Sequence, residues 1–588
     1  MLLEYDQAGK LKKKYNTFWF SNYLKIKLID GIPCNIRCYE KQNYVIFIVG
    51  HPILNNKIND ENLIISLLDK KFSNLNKIDG SFLIILFNKN NYSLKIINDR
   101  FAAFPIYYVK EKTLYASTSL YHLHHFISKD VYNSLDENAV LSFLWFRKVL
   151  GNKTFNKNIK FLDYASTLSA NKDEDISITK YWRIEYDDKV LKGKELIDNI
   201  AYSLKNSVMA HMSDEKKFGL FLSGGIDSRA IIAASEKYIE CYTSGIKKNN
   251  EYEVATKVAS VKNYKNNFIQ RDLSFFDDKY IKAIKLAPMQ IFTECQFLDH
   301  EKYIGNNCNV MMTGLGLDIL LSGLYLNKKN SFFLGRKMLH YKLVNIRGNI
   351  VDYYIDNVKY KLKSTSSLIS LINTKYKKIY REILFNQVEE IVKIGKDAGA
   401  KDHRLWEFMH IYNMSRHYSF PMMESIRSFT ECRSPGISNN ILDISLSMDI
   451  KEKVNGTAYH NVIKSLSKEI MNIKNANTNL SASYSLPMQS LLKSMNHIGS
   501  LIGLQNKIIS PDWSERSWPK PYSQFKSSFS LIKEINNLPY CTSLQEMGIF
   551  DMNIIKKLVE ESKYTDHTII LYLLLNLSIF FKKEKNSF

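Results

Sequence analysis

Cysteine is scarce, at seven residues in 588, which excludes a disulfide framework for a chain of this length. Cys34 and Cys38 lie close together, but no second pair with metal-ligand spacing follows them. Reduced, structural thiols in a cytoplasmic protein are the expectation. No apolar run is long enough to span a bilayer. The longest, "TIILYLLLNLSIFF" at 568–581, contains Asn576 and Ser578 and reads as a buried C-terminal helix. The opening "MLLEYDQAGKLKKKYNTFWF" has charges where a signal peptide needs its apolar segment. Neither export nor anchoring is expected. Repeats and low-complexity blocks are absent beyond a general Lys/Asn bias. Acidic residues are also short, 59 against 81 basic, a formal surplus of +22. That surplus is spread along the chain rather than gathered in a tail, which favours a compositional bias over a polyanion partner.

What is present falls into two patterns, as expected of a chain too long for one core. Residues 1–185 carry short apolar runs, "NYVIFIVG", "SFLIILFN", "YSLKIIND" and "TLYASTS", separated by turn chemistry such as Asp79-Gly80. This predicts a strand-rich first domain. From 190 to 588 helical periods dominate. The amphipathic "KELIDNIAYSLKNSVMAHM" precedes strand candidates "FGLFL", "IECYTSG", "KNNFIQRD" and "NVMMTG", with helices between them. Alternation of this kind predicts a parallel sheet with crossovers, hence an α/β second domain. After Leu334 the chain reads as mostly helical. The neighbouring His122, His124 and His125 read as surface residues, not ligands.

Two stretches carry chemistry. In "FGLFLSGGIDSRAIIAA", 218–234, a buried strand runs into Ser223-Gly224-Gly225 and then into a helix. Unpaired N–H groups at such a helix start suit phosphate oxygens, and Ser223 and Ser228 add hydroxyls. Asp227 would repel phosphate unless a cation such as magnesium lies between them. The spacing and the missing Gly-Lys pair exclude a Walker loop. In "VMMTGLGLDILLSGLY", 310–325, apolar residues again feed a small-residue turn and then an acid, Asp318. Ligands of open parallel sheets gather beyond the carboxyl ends of strands, where Asp227 and Asp318 could share one magnesium ion.

"SGGIDS" resembles the pyrophosphate loop of the ATP-pyrophosphatase superfamily, and the chain as a whole is similar to its asparagine synthetase branch. "TGLGLDILLSGLY", "YTSGIKKNNEYEVATKVAS" and "ECRSPGISNNILD" resemble segments of the synthetase half. "IDGSFLIILFN" and "DRFAAFPIYY" resemble its glutaminase half. The resemblance implies an N-terminal Ntn-type α+β sandwich followed by a parallel-sheet ATP-pyrophosphatase domain with a helical C-terminal region. It implies ATP held by Leu222, Ser223, Gly224, Gly225, Asp227, Ser228, Ser244, Thr313 and Gly314, magnesium on Asp227 and Asp318, and Glu431 and Lys474 as catalytic residues. Lys474 reads equally as a solvated surface charge, and Glu431 also as part of a buried ion pair. Arg433 would clamp substrate or hold the site by a buried ion pair.

The chain departs from that pattern in telling places. The family's nucleophilic cysteine follows the initiator, whereas this chain reads Met1-Leu2-Leu3, and "FIVGHPILNN" stands in place of the Asn-Gly-Glu loop. A glutaminase domain without glutamine hydrolysis is therefore expected. Leu315 and Ile319 replace acids, and strict alignment puts Asn475 where the family has its lysine, with Lys474 one place earlier. The implied reaction joins a small-molecule or peptide carboxylate, activated as an acyl-adenylate, to ammonia or an amine. Pathway partner proteins are compatible with it; a membrane is not implied. Lost-nucleophile relatives include β-lactam synthetases, lasso-peptide macrolactam cyclases and synthetase-like proteins of polysaccharide pathways. The alternatives are a tRNA-modifying enzyme of the superfamily and a non-catalytic partner, which Leu315 and Ile319 suggest.

Overall fold

The computed structural model describes the chain apart from residues 8–16, 30–35, 70–73, 128–133, 172–174, 187–189, 334–335, 363–364, 417–419, 477, 502–516 and 583–588. Cys34, paired with Cys38 in the sequence reading, lies outside the described residues.

The first 180 residues build two six-stranded antiparallel sheets. One contains Leu2–Tyr5, Leu24–Lys27, Tyr107–Lys110 and Leu114–Ser117; the other contains Tyr44–Gly50, Phe82–Asn88, Leu94–Asn98 and Ser166–Ala170. Their facing sides close over Leu3, Tyr5, Ile26, Phe47, Leu83 and Ile85. The alternate residues of the second sheet, Ile46, Ile48, Ile84 and Leu86, turn outward onto Leu63, Ile64 and Leu67 of the helix Asp60–Asp69. Coverage on both faces explains why "VIFIV" and "LIILF" are apolar throughout rather than alternating with polar residues. Helices Leu120–Phe126 and Glu137–Phe146 cover the first sheet. The result is the expected sandwich with helical outer layers.

The second half is built on a five-stranded, wholly parallel sheet. Its order is Asn266–Gln270, Ile239–Gly245, Phe218–Phe221, Val310–Met312, Glu431–Arg433. In chain order that is 3-2-1-4-5, so the connections reverse direction between the first and fourth strands. This is the switch point where open α/β sheets leave a crevice. Both glycine turns open onto it. The register aligns Phe218 with Ile239 on one side and Val310 on the other, and Val310 with Glu431.

The structure corrects three sequence expectations. "ECR" is a fifth strand, its three residues giving no period to detect. A hairpin, Lys328–Phe333 with Arg336–Leu343, interrupts the stretch expected to be helical. His124 is not a surface residue: it is fully buried, its ring 4.7 Å from Phe580. The partner of that contact is the C-terminal helix Thr568–Phe580, buried along most of its length as expected. Its Tyr572 packs 4.7 Å from Phe292, and Asn576 donates to the Gln290 carbonyl at 2.5 Å. No described helix is long and apolar enough to cross a membrane.

Candidate phosphate and carboxylate site

The first turn is held in shape by its own serines. Ser223 Oγ accepts from the Gly225 N–H at 3.2 Å, and Ser228 Oγ donates to the Ser223 carbonyl at 3.1 Å while accepting from its N–H at 3.2 Å. Both hydroxyls thus shape the loop. Extended Gly225 caps the helix Ile226–Ala234, and no side chain fills that N-terminus. The helix dipole and first-turn N–H groups therefore face the crevice. Leu222 is buried and anchors the loop through its backbone, donating to Tyr242 and accepting from Thr243 Oγ1 at 2.8 Å each. Ser244 ends the second strand, its hydroxyl 3.3 Å from His300 Nε2.

The second turn leans directly on the first. A Cβ at Gly314 would stand 2.7 Å from the Asp227 backbone, so only glycine allows this approach. Thr313 Oγ1 pairs with Ser434 Oγ at 3.1 Å, joining this turn to the end of the fifth strand. Asp318 accepts from the Ile319 N–H at 2.8 Å. Asp227 accepts from the phenol of Tyr459 at 3.1 Å. Neither carboxylate forms an ion pair with a described residue. Burial and then the charge of Asp318 push the Asp227 carboxyl well above its ordinary value. Burial pushes Asp318 up to about 6, offset in part by its own hydrogen bonds and by Lys328. Lys328 reaches the neighbourhood from the hairpin, donating to the Ser322 and Val454 carbonyls, and burial pulls it down to about 8.

Two mutually repelling carboxyls at adjacent strand ends, hydrogen-bonded but without a counter-ion, are a donor set that fits magnesium. That ion is typically held by one or two carboxylates plus water and phosphate oxygens. Among the described residues no group of three or more ligands suggests a closed structural metal site.

The segment around Lys474 is packed onto the first turn. A Cβ on Gly224 would lie 2.3 Å from the Cβ of Ala476, and the Ala476 N–H points to the Gly224 carbonyl at 3.4 Å. The Lys474 side chain is exposed at this rim. Asn475 uses its N–H within its own loop, donating to Leu480 at 2.7 Å. Ile319 is buried in the main apolar core, and Leu315, partly buried, packs against it.

Glu431 is not brought to this site, which corrects its assignment as a catalytic residue. It begins the fifth strand, level with the start of the first, and so lies at the opposite edge of the sheet from the turns. There it accepts from Lys216 Nζ at 2.5 Å and Arg433 Nε at 2.7 Å, with His51 of the sandwich 3.7 Å away. Arg433 is wholly buried and forks onto Asp214 at 2.9 and 2.6 Å. It is the ion-pair anchor among the two readings of the sequence. Tyr459, Arg229 and Lys328 were not found from sequence. Tyr459 lies 232 residues from the acid it touches, and no local pattern marks it.

Comparison with known proteins follows the same division. Residues 199–490 match the family model described as asparagine synthase, and residues 59–182 match the glutamine amidotransferase domain. Asparagine synthetase [glutamine-hydrolyzing] 1 of Bacillus subtilis is 24% identical over 32% of this chain and 30% of its own length. The putative asparagine synthetase [glutamine-hydrolyzing] 1 of Methanocaldococcus jannaschii is 25% identical over 45% and 48%. The chain thus spans about half or less of the curated relatives it matches. Solved structures include the B. subtilis glutamine phosphoribosylpyrophosphate amidotransferase, 10% identical over 49% of this chain and 59% of its own. Its TM-score of 0.17 is too low to bear on the fold.

Proposed function

Because this chain belongs to the asparagine synthetase family, we propose that it is an ATP-dependent ligase that adenylates a carboxylate and passes the acyl group to ammonia or an amine. One observation carries the reading: Asp227 and Asp318 converge from separate strand ends, close enough that Asp318 helps raise the Asp227 carboxyl, and neither is ion-paired to a described residue.

In this reading the phosphate tail of ATP lies over the Ser223–Ser228 turn, against Ser223, Gly224, Gly225 and Ser228. Leu222, Ser244, Thr313 and Gly314 complete the cleft around the nucleotide. Asp227 and Asp318 would hold magnesium, which when bound supplies charge neutralisation between carboxylates and phosphates. Tyr459 orients Asp227 through its hydrogen bond. The substrate carboxylate attacks the α-phosphorus, pyrophosphate leaves, and Lys474 at the rim stabilises the departing charge. The amine then attacks the acyl carbon, its proximity enforced by the shared crevice.

We further propose that nitrogen does not come from glutamine. Leu2 stands where the family's nucleophile would be, and Cys38, among the described cysteines of the sandwich, is exposed on an outer strand. ATP–pyrophosphate exchange across a panel of small and peptide carboxylates, with ammonia and amines as acceptors, tests both parts. Equimolar AMP and pyrophosphate, lost in Asp227→Ala and unaffected by glutamine, is the expected result. Binding of ATP without exchange for any carboxylate would overturn the ligase reading. Glutamate release from glutamine would overturn the second proposal.

A further inference from the structure

Arg229, directly after the phosphate turn in sequence, is fully buried yet has no carboxylate partner among the described residues. Its two terminal nitrogens are held by main-chain oxygens instead, while Nε is left without a described partner. Nη1 donates to the carbonyls of Ile470 at 3.1 Å and Ile473 at 2.9 Å; Nη2 donates to Gly224 at 3.2 Å and to Lys474. The first two acceptors cap the carboxyl end of the short helix Lys468–Asn472, where a cation is favoured by the helix dipole. The last two belong to the phosphate turn and to Lys474, whose side chain is exposed. One planar cation therefore joins two segments 245 residues apart in sequence. Gly224 lies against Ala476 beside this clamp, and Asn250 Nδ2 holds the Ala476 carbonyl at 2.9 Å from the far side.

We propose that Arg229 is a positioning residue for the adenylation step, fixing the 473–476 backbone on the phosphate turn so that Lys474 is presented to the leaving pyrophosphate. The inference rests on the ligase reading but is testable apart from it. A fork of five donors can serve four carbonyls at fixed angles; an ammonium cannot reach them all. Lysine should therefore restore the position in part and methionine not at all.

The test compares Arg229→Met and Arg229→Lys, each in the native and the Lys474→Ala background, by ATP–pyrophosphate exchange and by amide hydrogen exchange over 473–476. In the native background Arg229→Met should lower kcat about thirtyfold with KM for ATP changed less than about threefold, and Arg229→Lys should fall between. With Lys474 already alanine, Arg229→Met should cost less than about threefold more, because its effect passes through that lysine. Amide exchange at 473–476 should quicken in Arg229→Met while the sandwich strands stay protected. Equal losses in both backgrounds would overturn the proposal, as would unchanged protection of 473–476. If the native protein adenylates no carboxylate, the ligase reading fails by itself, and amide exchange alone decides the clamp. If Arg229→Met does not fold, Arg229→Lys decides on the same two readouts.

Discussion

Burial and the neighbouring Asp318 carboxylate both push the Asp227 carboxyl toward its protonated form. Such a pair lowers the stability of the fold and raises its affinity for a cation, the usual trade at a binding site. Asp227→Asn should abolish pyrophosphate exchange while leaving the melting temperature equal to or above the native value, measured by calorimetry without metal. A lower melting temperature would mean that the acid serves the fold. Glu294 offers a separate test of buried charge. Burial pushes its carboxyl up to about 7, with Arg147 offsetting part of the effect from 3.8 Å. Between the unfolded value, near 4.5, and about 7 the native state retains a proton that the unfolded state has lost. Stability therefore falls as pH rises through that window. Glu294→Gln should be more stable than the native protein at pH 8 by on the order of 1–3 kcal/mol, with the two melting curves converging below about pH 5.

At the scale of elements, the site depends on how closely two loops approach. Gly224 leaves room for Ala476, and Gly314 leaves room for the Asp227 backbone. Gly224→Ala should cost about 1–3 kcal/mol in urea titration and slow pyrophosphate exchange, because the added methyl pushes the Lys474 segment away. Ala476→Gly in the same chain should restore most of both losses by removing the facing methyl. Failure of that rescue would show that the conformation of Gly224, not its contact, is what matters. The elements were unevenly legible. "FGLFLSGGIDS" and "IECYTSG" announce strands because apolar runs end at turn residues, and both appear at the expected places. "ECR" does not, since three residues pair only because Val310–Met312 lies beside them. The hairpin from Lys328 is likewise a local pairing in a lysine-rich stretch with no clear alternation.

Across the whole molecule, sandwich and parallel sheet are joined by buried polar contacts as well as by packing. His51 lies against His211, their rings 5.3 Å apart, beside the Glu431, Arg433 and Lys216 cluster. Burial and the surrounding cations hold His51 well below its ordinary value, so it is neutral there. Glu431→Gln should destabilise the protein by about 1–3 kcal/mol, because buried Arg433 and partly exposed Lys216 lose a shared partner while Arg433 keeps Asp214. The exchange rate per folded molecule should change less than about twofold. A collapse of that rate at unchanged stability would return Glu431 to the catalytic role that its motif suggested.

The sequence by itself determined the class of each half and the two strand-turn-acid units, because apolar period, turn residues and capping are local properties of the chain. It also marked Asp227 and Asp318 as acids in need of a cation, since each stands where phosphate would otherwise be repelled. Only the tertiary structure decided that these two meet, that Tyr459 holds Asp227, that Arg229 ties the Lys474 segment to the phosphate turn, and that Glu431 faces the other edge. The reason is register. Which end of a strand a side chain occupies, and which distant loop lies over it, follows from packing among residues hundreds of positions apart, and no local pattern encodes that.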